Sequence, residues 1–238
     1  MDFRFNARGE QFLHEKDDQI TSNLYEMGAF EGADIRHVDY ILEGGAIDSD
    51  GNGTILTTTQ CLLNPNRNPD SSKSKIEMAF RNWFGTTRIL WLDDGQLVGD
   101  VTDAHIDNLA RFCDQKTICY SSCEDTADDN ADSLLSMENQ LKTFLNNTGE
   151  PYKLEPISTP KLTSRIDGRR LPVSYTNFLI INHAVLVPVY DAPTDQQALQ
   201  IISECFPERI IKPVNCTSLV EQNGSLHSIT MQLPEGVI

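Results

Sequence analysis

Basic residues are scarce in this sequence: 19 Lys and Arg stand against 35 Asp and Glu, a net charge of −16 with the histidines neutral. That balance argues against nucleic acid as a partner, because phosphate binding needs clustered cations that displace counterions. It argues equally against an anionic membrane surface. No apolar run approaches the roughly 18 residues of a spanning helix, and Met1 to Glu10 is polar and patterned, unlike a leader. A cytoplasmic protein with no membrane association is the expectation. C-x-x-C pairs are lacking too, although six cysteines stand at 61, 113, 119, 123, 205 and 216. The closest spacing, Cys119 to Cys123, has no second half-site to complete a zinc centre. Reduced thiols are expected, with Cys61, Cys113 and Cys205 among apolar neighbours reading as core. Asp48 to Gly53 imitates the start of a calcium loop, but its twelfth position is Thr59 and its flanks read as strands. What the charge does admit is a cationic ligand.

The 238 residues, 39% of them apolar, suffice for a substantial core. Their patterning repeats. Ala46 to Thr58 reads strand, turn, strand around Asp50-Gly51-Asn52-Gly53. A helix follows with Ile76, Ala79, Phe80, Trp83 and Phe84 on one face, stopped by Gly85, and Arg88 to Leu92 is a strand. The same order recurs from Asn108 through a helix bearing Leu134, Met137 and Leu141 to a strand at Tyr152 to Ile157. It recurs again with strands at Tyr175 to Ile181 and Ala184 to Tyr190, a helix opened by Asp191-Ala192-Pro193, and a strand at Ile210 to Val214. Pro188 suggests an edge strand or a bulge. Three strand–strand–helix–strand units result, near 43–92, 105–157 and 174–214, within one domain over 1–238. Asp2 to Ile41 reads as the end of a further unit, with a helix near Asp18 to Met27. Ser225 to Leu233 reads as an opening strand.

The heads of these units carry polar residues that would converge on the axis of a ring: Glu43, His105 with Asp107, and Ser228. An extended His105-Ile106-Asp107 would place both polar side chains on one face. The alternative is a turn glutamate, a capping aspartate and a core histidine.

The motifs in order are Asp2-Phe3-Arg4-Phe5-Asn6, Glu43-Gly44-Gly45, Leu56-Thr57-Thr58, Cys61 to Pro69, Trp91-Leu92, Gly99 to Asp107, Ser174 to Phe178 and Gly224 to Thr230. Over essentially its whole length the chain resembles the agmatine deiminase branch of the bacterial peptidyl-arginine deiminase family, in the guanidine-modifying pentein superfamily. The resemblance implies an α/β-propeller of five ββαβ modules, of which about four are expected here. It implies hydrolysis of agmatine to N-carbamoylputrescine and ammonia, part of putrescine biosynthesis, through a covalent thiouronium. No metal or organic cofactor is implied. The partner implied is a small guanidinium substrate, and a homodimer is possible by analogy. His105 carries over as acid/base, and Glu43 and Asp107 as carboxylates for a planar cation.

Three departures accompany the resemblance. Ser228 stands where the family has its nucleophilic cysteine, and an alcohol is a far weaker acid than a thiol. The expectation is therefore a chain that binds substrate without turning it over. A W-x-R-D-type motif of the family would lie upstream of Met1, so an N-terminally truncated protein is expected. Val101 and Ala104 replace an acidic residue and a glycine. The rival readings are a non-catalytic pentein retained for binding, and a deiminase of arginine or peptidyl-arginine.

Overall fold

The computed structural model describes residues 1–30 and 32–236. Its elements are β1 (Asp2–Arg4), α1 (Ala7–Glu10), α2 (Ile20–Glu26), β2 (His37–Ile41), β3 (Ile47–Ser49), β4 (Thr54–Thr58), α3 (Thr59–Leu62), α4 (Lys73–Phe84) and β5 (Arg88–Leu92). They continue with β6 (Ala110–Phe112), β7 (Thr117–Ser122), α5 (Ala131–Leu141), β8 (Lys153–Ser158), β9 (Leu179–Ile181), β10 (Ala184–Val189), α6 (Asp195–Cys205) and β11 (Ile210–Asn215). β3-β4-β5, β6-β7-β8 and β9-β10-β11 are separate three-stranded sheets. In each, the first two strands pair antiparallel and the last two parallel. A long helix makes each parallel crossover, as parallel pairing requires. β1 and β2 form a two-stranded parallel sheet across α2. No described helix is long and apolar enough to cross a membrane.

Local chemistry sets these limits. Ser72 starts α4 by accepting the Lys75 N–H at 3.3 Å, and Gly85 ends it at φ 68°, where a side chain would be strained. Asp195 accepts from the Tyr190 and Ala192 N–H groups ahead of α6. Two expected strands behave differently. Tyr175 to Asn177 is not extended, because its polar side chains are buried in a hydroxyl network. Ser174 Oγ meets Ser121 Oγ at 2.8 Å, and Thr176 Oγ1 donates to the Asp107 carbonyl at 3.1 Å. Ser225 to Leu233 is not a strand either. It holds a 3-10 turn, His227–Ile229, whose first N–H is shared between the side-chain Oδ1 of Asn177 at 2.8 Å and its backbone carbonyl at 3.2 Å. Pro188 lies in the central strand β10 in unbroken register with β11, contrary to an edge or bulge. Its position is tolerated because β9 pairs only as far as Leu186.

The core has three clusters. Ile55, Cys61, Leu62, Ile76, Phe80 and Trp91 pack beneath α4. Leu56, Leu92, Ile106, Phe112, Ile118, Leu134 and Met137 join the first sheet to the second. Cys119, Ile157, Tyr175, Phe178, Val185, Tyr190 and Ile202 join the second to the third. One buried cation also links all three sheets. Arg111 on β6 donates to Asp48 Oδ1 on β3 at 2.8 Å and to the Phe178 carbonyl beside β9 at 3.0 Å, with its guanidinium 4.9 Å from the Phe178 ring centre. Asp48 thus serves an ion pair rather than a calcium loop. Asp48→Ala strands the Arg111 charge, and the expected loss is about 3–5 kcal/mol, read as a fall in the urea midpoint.

Candidate active site

The site assembles where two tight turns meet. Glu43 follows β2 and caps the 3-10 turn Gly44–Ala46, while His105 caps the 3-10 turn Ile106–Asn108 that contains Asp107. His105-Ile106-Asp107 is therefore turned rather than extended, yet both polar side chains still line one cavity. That cavity, about 300 Å³, is bounded by Arg8, Glu43, His105, Asp107, His227 and Ser228 among others. All four residues expected at the site are brought together there.

Glu43 is the hub. Its Oε2 lies 2.5 Å from His105 Nε2 and accepts from Arg67 Nη2 at 2.9 Å and Nε at 3.2 Å. Its Oε1 accepts the Arg8 N–H at 3.0 Å. That N–H is aimed by a run of positive φ over residues 7–10, held by Asn6 Oδ1 accepting from the Gly9 N–H. Arg67 in turn donates to Asp103 Oδ2 at 2.6 Å and to the Thr102 carbonyl at 3.0 Å. Burial opposes ionisation of Glu43, but the hydrogen bond and charge of His105, with Arg67, outweigh it and hold the carboxyl at about 2. Burial likewise disfavours the His105 cation, yet Cys61 and Glu43 beside it raise its pKa well above the usual 6.5.

These shifts fix a pH window. Glu43 contributes stability fully above 4.5, and that contribution is lost as pH falls towards about 2. His105 contributes fully below 6.5 and its share is lost as pH rises through its raised value. Urea midpoints across the acid range are expected to show the first loss, and Glu43→Gln should reduce its slope.

The expectation that Ser228 disables the chain is overturned here. That reading assumed no thiol beside the histidine. Cys61, Glu43 and His105 form an intact Glu–Cys–His triad, with thiol, imidazole and carboxylate ligand atoms all within 4.8 Å of one another. Cys61 is held by Thr58, whose hydroxyl accepts the Cys61 N–H at 3.3 Å while donating to the Ala104 carbonyl at 2.8 Å. Thr58 therefore ties the thiol to the strand end and to the histidine loop at once. Cys61 is a core residue as its apolar neighbours suggested, and it is also a site residue. The three donors are spaced for a metal ion, but Arg67 places a positive charge on the same Glu43 oxygen, which makes the set a poor cation site.

Asp107 has a different environment. Its Oδ2 lies 2.9 Å from His227 Nδ1, and its Oδ1 has no hydrogen-bond partner among the described residues, although the residue is only 1% exposed. Burial pushes its pKa up, but the hydrogen bond from His227 and the nearby His105 and Arg111 charges bring it down, so it is an anion. His227, Arg8 and Arg67 are site residues that spacing did not single out. His227 had one signal, its place beside Ser228 in the same motif. The glycine that Ala104 replaces also has a reason: Ala104 sits at φ 61°, the left-handed region that glycine adopts freely. Nothing in the structure explains Val101.

The family described as Porphyromonas-type peptidyl-arginine deiminase matches residues 1–234. A protein of Marinomonas sp. (strain MWYL1), provisionally named agmatine deiminase, is 33% identical over 252 residues, covering 98% of this chain and 68% of its own. A solved structure from Porphyromonas gingivalis, provisionally named arginine deiminase, superposes with a TM-score of 0.93 at 44% identity, covering 98% of this chain and 69% of that one. The agmatine deiminase of Enterococcus faecalis superposes with a TM-score of 0.87 at 30% identity, over 98% and 69%. The chain thus spans just over two thirds of the length of these relatives.

Proposed function

The chain belongs to the Porphyromonas-type peptidyl-arginine deiminase family, and from that premise we propose that it hydrolyses the guanidinium group of agmatine or a close analogue, releasing ammonia. By family it is an amidine hydrolase with ββαβ modules of the pentein fold. The observation that carries the substrate reading is Asp107. A buried carboxylate oxygen without a donor among the described residues, on the wall of a cavity, suits a planar cation with N–H groups to give.

The residues divide the chemistry between them. Asp107 Oδ1 accepts from the guanidinium. Glu43 keeps His105 protonated beside the Cys61 sulfur. That sulfur, as its thiolate, attacks the guanidinium carbon. The C–N bond then breaks as His105 gives its proton to the departing ammonia, leaving a thiouronium on Cys61. Neutral His105 next takes a proton from water, whose oxygen attacks the same carbon. The C–S bond breaks, returning the thiolate and releasing the carbamoyl product. Cys61 is fully buried, with its sulfur beside Glu43 and His105. Ammonia release from agmatine by the purified chain is the direct test. No ammonia from agmatine, arginine or peptidyl-arginine overturns the proposal.

One observation favours arginine as a second substrate. Arg8 lines the cavity, with Nη2 3.6 Å from where a side chain on Gly224 would begin. A cation there opposes the ammonium tail of agmatine and attracts a carboxylate tail. Arg8→Gln is expected to shift the ratio of kcat/KM for agmatine over arginine upward by about tenfold, measured with both substrates side by side.

A further inference from the structure

Asp107 has a backbone held from several sides and a side chain held from one. Thr176 Oγ1 donates to its carbonyl at 3.1 Å, and the Ser121 hydroxyl donates to the carbonyl of the next residue, Asn108, at 2.8 Å. Among the described residues its carboxyl has a single hydrogen bond, between Oδ2 and His227 Nδ1 at 2.9 Å. The last torsion of an aspartate is soft, so a fixed backbone does not by itself decide which oxygen faces the cavity. A freed carboxylate would also have a rival partner. Asp107 Oδ2 and His105 Nδ1 each lie 2.7 Å from the point where a Cβ on Gly45 would sit, and opposite charges that close attract.

His227 is itself fixed. It opens the 3-10 turn His227–Ile229, and its N–H is shared by Oδ1 and the carbonyl of Asn177. The Thr230 hydroxyl donates to its carbonyl at 2.9 Å. Asn177 is fully buried and donates from Nδ2 to Asn108 Oδ1 at 3.0 Å. Asn108 follows Asp107 in the same turn. The contacts therefore close on themselves, from Asp107 to His227, Asn177 and Asn108, joining three separate parts of the sequence. The imidazole cannot drift from the carboxylate without breaking a bond in this circuit.

We propose that His227 is a positioning residue for substrate recognition: its Nδ1–H pins Asp107 Oδ2 and so presents Oδ1 to the guanidinium, an inference that rests on the guanidine-hydrolase reading above. The role needs a donor at Nδ1 rather than a charge, and that donor is present in one neutral tautomer as well as in the cation. Asparagine carries an amide nitrogen on the same γ carbon and can replace it. Phenylalanine keeps a ring and has no donor. Asp107 meets the guanidinium in the ground state as well as in the transition state, so loss of the pin weakens binding more than chemistry.

Steady-state kinetics with agmatine test this. His227→Phe is expected to raise KM at least about tenfold while kcat stays within about threefold, and His227→Asn to bring KM back to within about threefold of the parent. Independently of turnover, NMR of the histidine-labelled parent should show a proton on His227 Nδ1, its signal identified by its loss in His227→Phe and displaced in Asp107→Ala. An unprotonated Nδ1 overturns the inference whatever the activity. An unchanged KM in His227→Phe, a His227→Asn variant no better than His227→Phe, or a loss confined to kcat does the same. A parent that shows the Nδ1 proton but releases no ammonia from any guanidine overturns the functional reading, and with it the role towards substrate, while the pairing of His227 with Asp107 stands.

Discussion

A Gly45→Ala variant is expected to lose at least about 100-fold in kcat while remaining folded. A Cβ at position 45 would lie 2.7 Å from both Asp107 Oδ2 and His105 Nδ1. Contacts that short do not persist, so the two side chains or the turn carrying them must shift. Asp107 lies in the 3-10 turn that faces Gly44–Ala46 and His105 caps that turn, and both are buried rather than flexible surface chains. His105 would lose its alignment with Glu43, and Asp107 its place on the cavity wall. A shift of about 1 Å in a reacting group is enough for the stated loss. Circular dichroism and the urea midpoint separate this from unfolding. Unchanged turnover would show that neither side chain needs its present position. Gly44, where a Cβ would meet nothing, is the control, and Gly44→Ala is expected to retain activity.

Cys61→Ser is expected to lower ammonia release by at least about a thousandfold, whereas Ser228→Ala changes it by only a few-fold. The thiol-to-hydroxyl exchange removes one sulfur and keeps the shape, so the core beneath α4 should hold. The hydroxyl, a far weaker acid, is not ionised by the His105 cation to a useful degree. Ser228 lines the cavity, but its Oγ accepts a 3.4 Å bond from the Ser225 N–H and no base is paired with it among the described residues. Single-turnover trapping with a labelled substrate should place the adduct on Cys61. Full activity in Cys61→Ser, or a gain of activity in Ser228→Cys over the parent, sinks the assignment of Cys61 as nucleophile.

The secondary structure was legible wherever a local rule governs it. Arg88 to Leu92 was read to the residue, and α4 was bounded by Gly85 because a left-handed cap is a local requirement. Strand–strand–helix–strand order followed from a period of two giving way to one near 3.6. The misread stretches share one cause. Tyr175 to Asn177 and Ser225 to Leu233 alternate like strands, but they bond to groups that come from other units, among them the Asp107 carbonyl, the Ser121 hydroxyl and the Asn177 side-chain oxygen.

The site divides along the same line. The sequence by itself determined the chemistry available: a histidine between carboxylates, a glycine pair after Glu43, and an acidic chain suited to a cation. Only the tertiary structure decided which residues share a site. Cys61 reads as an apolar core residue because its neighbours in the chain are Leu62 and Leu63. It meets His105 because Thr58 clamps the end of β4 to the loop at Ala104. Asp48 reads as a loop ligand until Arg111 arrives from the second sheet. Side-chain type and local period are written in consecutive residues. Contacts between units depend on how whole sheets pack, and no short stretch of sequence carries that information.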